Sequence, residues 1–318
     1  MTRIICGVDI ASATLTARIG RRGAWREFAN SREGISELAD FCQSQGVQLV
    51  AMEATGGYEK RSYVQLTEHG LGVAIVNPRA VRQFAQSMGA LEKTDAIDAG
   101  MIAWYAETKQ SQPLSLAPKA QLELRARVTR LRQLTEVRTA QKNQRRLVSL
   151  PAIEKSFEQM LGFLAQQIAE LEQAISELIE ADPLWREFDR AFRTIKGVGD
   201  RTVANMMAEM PEIGTLSNKT ISKLAGLAPL ANDSGNHQGK RSVRGGRGVV
   251  RDLLFIVGSV VGRHEPDFIA MEKRLRTANK PPKVVRIAVA HKLLVRLNAK
   301  AREIRQSHAQ KQALACPC

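Results

Sequence analysis

Cysteine is scarce in this sequence, and long apolar runs are missing from it. Its four cysteines, Cys6, Cys42, Cys316 and Cys318, form no C-x-x-C pair and have no histidine at zinc-ligand spacing, so they read as reduced thiols and not as a metal knuckle. No stretch approaches the roughly 18 to 20 consecutive apolar residues that a membrane helix needs, and no membrane partner is expected. The opening MTRIICGVDI enters a β-like run without the basic region, apolar stretch and small-residue cleavage site of a secretory signal. A cytoplasmic protein is the expectation.

What is present is a soluble composition over 318 residues, enough for two or three domains. The net charge of +15 is unevenly spread. Residues 1–110 carry 12 basic and 12 acidic side chains, residues 111–150 carry 9 and 2, residues 151–192 carry 3 and 9, and residues 193–318 carry 23 and 9. Localised positive blocks attract a polyanion, because neutralising phosphates releases counterions.

The first block reads as strand, strand, strand, helix, strand, helix, strand, helix. IICGVDIA, TLTARIG and AWREFAN are the first three strands, and VQLVAMEA and GVAIVNP are the fourth and fifth. Ser31 is a helix N-cap, followed by Ile35, Leu38, Ala39 and Cys42 on one face. A short helix is expected over residues 63–69, and further helices over 78–89 and 94–108. This order matches the ribonuclease H-like fold, with the domain ending near residue 110 before SQPLSLAP.

Residues 119–182 show almost no turn chemistry except at residues 149–151, which predicts two long helices in a coiled-coil region, 111–191. Phe157, Leu161, Leu164, Ile168, Leu171, Ile175 and Leu178 make a heptad seam that the first helix, or a second copy of the chain, could cover. The first helix carries Arg125, Arg127, Arg130, Arg132, Arg138, Lys142, Arg145 and Arg146 around more than one face, suiting nucleic acid. A mainly helical C-terminal domain follows over residues 192–307, with helices near 249–262 and 283–306, and residues 308–318 read as a loose tail.

Four carboxylates stand out. Asp9 interrupts an apolar strand, where an unpaired charge is costly. Glu53 ends the fourth strand, the neighbour of the first in this topology, and Asp95 and Asp98 in KTDAIDAG share a helical face. Such a group repels itself unless cations sit within it, and hard oxygen ligands favour Mg²⁺ or Mn²⁺. A pair of ions about 3.5 to 4 Å apart serves phosphoryl transfer. Read singly, Asp95 is also an ordinary helix N-terminal charge.

IKGVGDRT has the pattern of a helix-hairpin-helix, in which Gly197 and Gly199 would let backbone amides approach a phosphate, with Lys196 and Arg201 beside them. An inert interhelical turn looks the same. DSGNHQGKRSVRGGRG holds Ser234 ahead of Lys240, Arg241, Arg244, Arg247 and Arg251. A serine beside guanidinium groups could attack a phosphodiester, although Ser-Gly is commonly plain loop, and His237 reads as a loop residue.

GVDIA, MEATGGY, NPRAVRQFAQSMG, KTDAIDA, IKGVGDRTVA and LAGLAPLANDSG resemble, in order and spacing, the DEDD-type insertion-sequence transposases related to the Piv DNA invertases. The resemblance spans about residues 4–300. It implies a RuvC-like N-terminal domain, a coiled-coil insertion and a C-terminal transposase domain in a site-specific DNA recombinase. It implies a metal-binding tetrad of Asp9, Glu53, Asp95 and Asp98, and Ser234 as nucleophile through a phosphoserine link. It further implies donor and target DNA paired by a structured bridge RNA, and dimers to tetramers with composite active sites. The stretch after Ser234 departs from the family pattern, with Arg244 and Gly245 where Ser-Lys is common. The rival readings are a RuvC-like hydrolytic nuclease and a non-catalytic nucleic-acid scaffold. A sugar-kinase-like ATPase lacks its second Asp-x-Gly segment and its Gly-rich loop here.

Overall fold

The computed structural model describes residues 3–90, 94–231, 233–235, 237–239 and 241–315. The chain forms two compact units, Met1–Ala117 and Pro118–Cys318. Cys316 and Cys318 lie outside the described residues.

In the first unit Ile5–Ile10 (β1), Thr14–Ile19 (β2) and Trp25–Ala29 (β3) form an antiparallel meander. Arg32–Ser44 (α1) leads to Leu49–Glu53 (β4), Glu59–Glu68 (α2) leads to Val73–Val76 (β5), and Pro78–Ser87 (α3) and Asp95–Thr108 (α4) follow. The sheet order is β3-β2-β1-β4-β5, with β4 parallel to both β1 and β5. This is the ribonuclease H-like arrangement that the element order predicts. Ser31 caps α1 by accepting from the Gly34 amide at 3.2 Å, and Asn77 and Thr94 cap α3 and α4 in the same way.

Strand alternation sorts the residues between two cores. Cys6, Val8 and Ile10 of β1 and Val50 and Met52 of β4 pack with Ile35, Leu38 and Cys42 of α1. Ile5, Leu49 and Ala51, on the other face, pack with Val81 of α3 and Met101 and Ile102 of α4. Asp9 and Glu53 share the parity of this second face. Cys6 and Cys42 are free and buried. A hydrogen bond with Cys42, and then burial, push the Cys6 thiol up, which keeps it protonated.

The short helix starts at Glu59 and not near Tyr63, because the Glu59 carboxylate accepts from the Thr55 amide at 3.0 Å and the Gly57 amide at 2.9 Å and so nucleates the turn. Gly56 and Gly57, at φ 64° and 116°, take backbone conformations that other residues resist.

The second unit opens with Lys119–Arg145 (α5) and Pro151–Ala181 (α6), the two long helices expected. Leu164, Ile168 and Ile175 of α6 pack in one core with Leu124, Val128, Leu131 and Leu134 of α5, joined by half-buried Leu171 and Leu178. Arg127 donates to the Ala174 carbonyl at 2.9 Å and Arg145 reaches Glu158 at 2.8 Å, which fixes the pair as antiparallel. Of the two partners open to the seam, α5 of the same chain takes it.

Pro183–Arg193 (α7), Asp200–Glu209 (α8), Asn218–Leu224 (α9), Gly248–His264 (α10), Pro266–Thr277 (α11) and Pro282–Ala315 (α12) complete the helices. Between α9 and α10 lie four two-residue strands, Pro229–Leu230 (β6), Asp233–Ser234 (β7), His237–Gln238 (β8) and Ser242–Val243 (β9). Residues 111–191 and 192–307, told apart in sequence by the long heptad helices of the first, meet in one core through α5, α6, α8, α10 and α12. The expectation of a loose tail from residue 308 is corrected: α12 runs to Ala315, because residues 308–315 contain neither Gly nor Pro to end it. Among the described residues no helix is long and apolar enough to cross a membrane.

Candidate active site

The register of β1 and β4 runs Ile5↔Leu49 to Val8↔Met52, so Asp9 and Glu53 are the next residues on two adjacent parallel strands. Both point to the face that α4 covers. Gly7 explains how close α4 comes: a Cβ there would lie 1.9 Å from the Ala99 carbonyl oxygen and 2.6 Å from the Ala103 nitrogen. With no side chain on Gly7, α4 lies directly on β1 and brings Asp98 beside the strand ends. Asp9, Glu53 and Asp98 line one cleft of about 360 Å³ with Val81, Arg82, Ala85 and Gln86 of α3, and with Ala90 and Met101. Asp95, the exposed first residue of α4, does not line it.

The donor set is oxygen only, without histidine or cysteine, and so fits a hard divalent cation. Among the described residues no three Asp, Glu, His or Cys side chains are grouped tightly enough to hold an ion as they stand. Carboxylates repel one another at close range, so a cation would have to draw these together.

Sequence reasoning missed three features of this cleft. Arg82 walls it from α3. Glu59 shapes the loop that leaves Glu53, and the Thr55 hydroxyl donates to the Glu53 carbonyl at 3.1 Å. Gly7 was visible only as a small residue in a strand. The signal for Glu59 was its position two residues after a Gly-Gly turn.

Ser234 stands on an exposed two-tiered β-arm. β6 pairs with β9 at the base and β7 with β8 toward the tip, with Ser234 opposite His237 and Gly235 at φ 52° in the turn. Arg241 pairs with Asp233 across the arm at 2.9 Å. At the base a Cβ on Gly226 would lie 2.2 Å from the Gly245 carbonyl oxygen, and Arg251 donates to that oxygen at 2.9 Å.

Arg247 has a partner that the sequence did not suggest. Its guanidinium grips both oxygens of Glu212, at 2.6 and 2.7 Å, and donates to the Glu209 carbonyl, so it is engaged within the chain and anchors the arm. Burial alone would raise the Glu212 carboxyl, but hydrogen bonds from Arg247 and its own backbone, with the Arg247 charge, hold it below the usual value of 4.5. A depressed carboxyl stabilises the fold above its unfolded pKa, and that contribution is lost as pH falls through the folded value. Arg247→Ala should therefore cost about 1–2 kcal/mol near pH 7, with the deficit narrowing as the pH falls below the ordinary carboxylate range, as urea melts across that range will read.

The remaining nucleic-acid candidates divide by partner. Arg145 and Arg201 are paired with Glu158 and Glu172. Arg130 reaches only Gln133, at 3.3 Å, while Lys142, Arg146, Lys196 and Arg244 are exposed and Arg138 is half-buried, none with an ion pair among the described residues. Lys240 lies outside the described residues. At the hairpin, Gly197 (φ 99°) packs against Val260 and Val261 of α10, and the Lys196 amide donates to Glu265 at 3.2 Å. Gly199 is the N-cap of α8 with open space around it. Interhelical packing thus accounts for the first glycine and leaves the second available to a ligand.

A ribonuclease H-like sheet that gathers carboxylates at its strand ends, in one chain with a strongly basic helical unit, defines a phosphoryl-transfer enzyme that works on nucleic acid. A transposase family profile matches residues 6–148, and a profile for the transposase IS116/IS110/IS902 family matches residues 189–272. The pilin gene-inverting proteins of Moraxella bovis and Moraxella lacunata are each 30% identical over 313 residues, spanning 92% of this chain and 94% of theirs. The structure of Thermus thermophilus RuvC aligns over 35% of this chain and 99% of its own at 17% identity and TM-score 0.26. The fold assignment rests on the strand order and not on that likeness. The chain belongs to the DEDD-type IS110 transposase and recombinase family, and it is a DNA recombinase of that class.

Proposed function

We propose that this recombinase is site-specific and metal-dependent, with Asp9, Glu53, Asp95 and Asp98 holding divalent ions and Ser234 attacking the scissile phosphate. The observation that carries the reading is the meeting of Asp9, Glu53 and Asp98, from β1, β4 and α4, in one cleft. Two Mg²⁺ or Mn²⁺ ions would polarise the phosphoryl oxygens and favour ionised attacking and leaving oxygens. Ser234 Oγ loses its proton and forms an ester with phosphorus as the bond to the leaving deoxyribose oxygen breaks and that oxygen takes up a proton. A hydroxyl of the recipient strand then attacks the phosphoserine, restoring both a phosphodiester and the free serine. One P–O bond forms for each one broken, so the exchange needs no nucleotide cofactor.

The exposed arm supports a serine that reaches into a carboxylate cleft, and we assign the two to different subunits of a dimer or tetramer. The cations Arg130, Lys142, Arg146, Lys196 and Arg244, without an ion pair among the described residues, suit donor and target DNA and a structured bridge RNA from the same element. The test is a denaturation-resistant protein–DNA adduct, located by peptide mass spectrometry. It should map to Ser234 and vanish in Ser234→Ala, whereas cut DNA with no adduct would mean hydrolysis by water instead.

A further inference from the structure

Beside the carboxylate cleft lies a second one, of about 600 Å³, lined by Arg18, Arg21, Arg22, Gly89, Ala90, Ile97 and Met101. Ala90 and Met101 line both, so the two clefts are neighbours on one surface of the first unit. The arginines belong to β2 and the turn after it, and that turn is fixed against α4. Arg18 donates to the Ala96 carbonyl, between Asp95 and Asp98, at 3.2 Å, and to the Gly23 carbonyl at 3.3 Å. Gly100 makes the approach possible, since a Cβ there would lie 2.6 Å from the Arg21 carbonyl oxygen and 3.2 Å from Arg18 Cδ.

On this pinned turn the Arg21 guanidinium lies over the Trp104 ring, 3.6 Å from its centroid, and Trp104 packs edge-on against Phe84 of α3. A stacked guanidinium keeps its in-plane N–H donors available in a fixed orientation, which suits bidentate contact with phosphate. Arg22 is exposed, and among the described residues neither Arg21 nor Arg22 has an ion pair. Residues 1–110 are neutral overall, so this is a local concentration of positive charge and not part of a generally basic surface.

We infer that Arg21 and Arg22 form a phosphate clamp for the DNA strand being exchanged, holding a backbone phosphate close to the one that reacts, with Arg18 as the residue that positions the turn. The clamp opens beside the carboxylates, and the strand that must enter their cleft is DNA. The assignment rests on reading that cleft as the site of strand exchange.

The test measures binding of the full-length chain to a short mixed-sequence single-stranded DNA, and to RNA of the same sequence, by fluorescence anisotropy in EDTA across a salt series. Arg21→Ala with Arg22→Ala should weaken DNA binding about tenfold per arginine and flatten the slope of log affinity against log salt by about 1.4. Arg22→Ala alone, at an exposed site without contacts that hold the fold, should give about half of the slope change. Arg21→Lys should fall between the parent and Arg21→Ala. Arg32→Ala with Arg61→Ala removes the same charge from the α1 and α2 side of the sheet and should leave the slope unchanged. DNA binding equal to that of the parent in correctly folded Arg21→Ala/Arg22→Ala, or a loss confined to RNA, would overturn the clamp. Asp9→Asn separates the two readings: if it still exchanges strands while the arginine variants lose DNA, the carboxylate assignment fails, and with it the placing of the clamp beside the reacting phosphate, while Arg21 and Arg22 remain a DNA-binding site.

Discussion

Asp9→Asn is expected to abolish strand exchange, by roughly 10³-fold or more, while leaving the first unit folded and DNA binding intact. Asparagine keeps the size of the side chain at the end of β1 and removes its charge, so the packing of the neighbouring strand survives and affinity for a divalent ion does not. Metal ions contribute several kcal/mol to phosphoryl transfer, and each 1.36 kcal/mol is a factor of ten in rate. Glu53→Gln and Asp98→Asn should behave alike, because all three residues line the same cleft. The measurement is inversion or excision of a plasmid segment flanked by the element's own junctions, beside a thermal melt of each variant. Normal exchange by a folded Asp9→Asn protein would refute the role given to this carboxylate.

Gly7→Ala should be nearly as damaging to activity, for a mechanical reason. The added methyl would lie 1.9 Å from the Ala99 carbonyl oxygen, an atom of the α4 backbone that cannot rotate away. Either α4 moves off β1, taking Asp98 with it, or the strand shifts and carries Asp9 away. Overpacking of this kind costs about 1–3 kcal/mol. For a unit of this size that amounts to a fall in melting temperature of roughly 5–15 °C. Activity should fall further than the stability loss explains, when assayed well below the melting point. Gly162→Ala is the contrast. Gly162 sits within α6 with nothing within 4 Å of an added Cβ, and the change should stabilise the chain by about 0.5–1 kcal/mol, because alanine favours the helix. A Gly7→Ala protein with the parent's melting temperature and activity would show that the close approach of α4 to β1 is not needed.

Much of the first unit was legible because its signals are local. Runs rich in β-branched residues marked β1 and β4 as strands buried on both faces, Ser31 is a side-chain cap of the kind any helix start can use, and a strand-to-helix order with short turns admits few topologies. The heptad of α6 was legible for the same reason, though not what would cover it. The boundary of α2 was misplaced because a single long-side-chain contact, Glu59 to the Gly-Gly turn, outweighed the weak periodicity of the segment. Arg247 was grouped with the DNA contacts because its neighbours in sequence are cations. Its partner, Glu212, lies 35 residues away and could not be inferred from them.

From its amino-acid order alone, the chain had set the type of its elements, which faces are apolar, where positive charge accumulates, and that Asp9 and Glu53 end neighbouring strands. Only the folded structure decided that α4 rides on Gly7 close enough to bring Asp98 to them. It also decided that the β2 turn rests on Gly100 beside the same cleft, and which arginines face solvent while others are held by carboxylates. Periodicity and capping act over a few residues, whereas these contacts join backbone atoms and charges tens of residues apart, and their closeness depends on how whole elements pack.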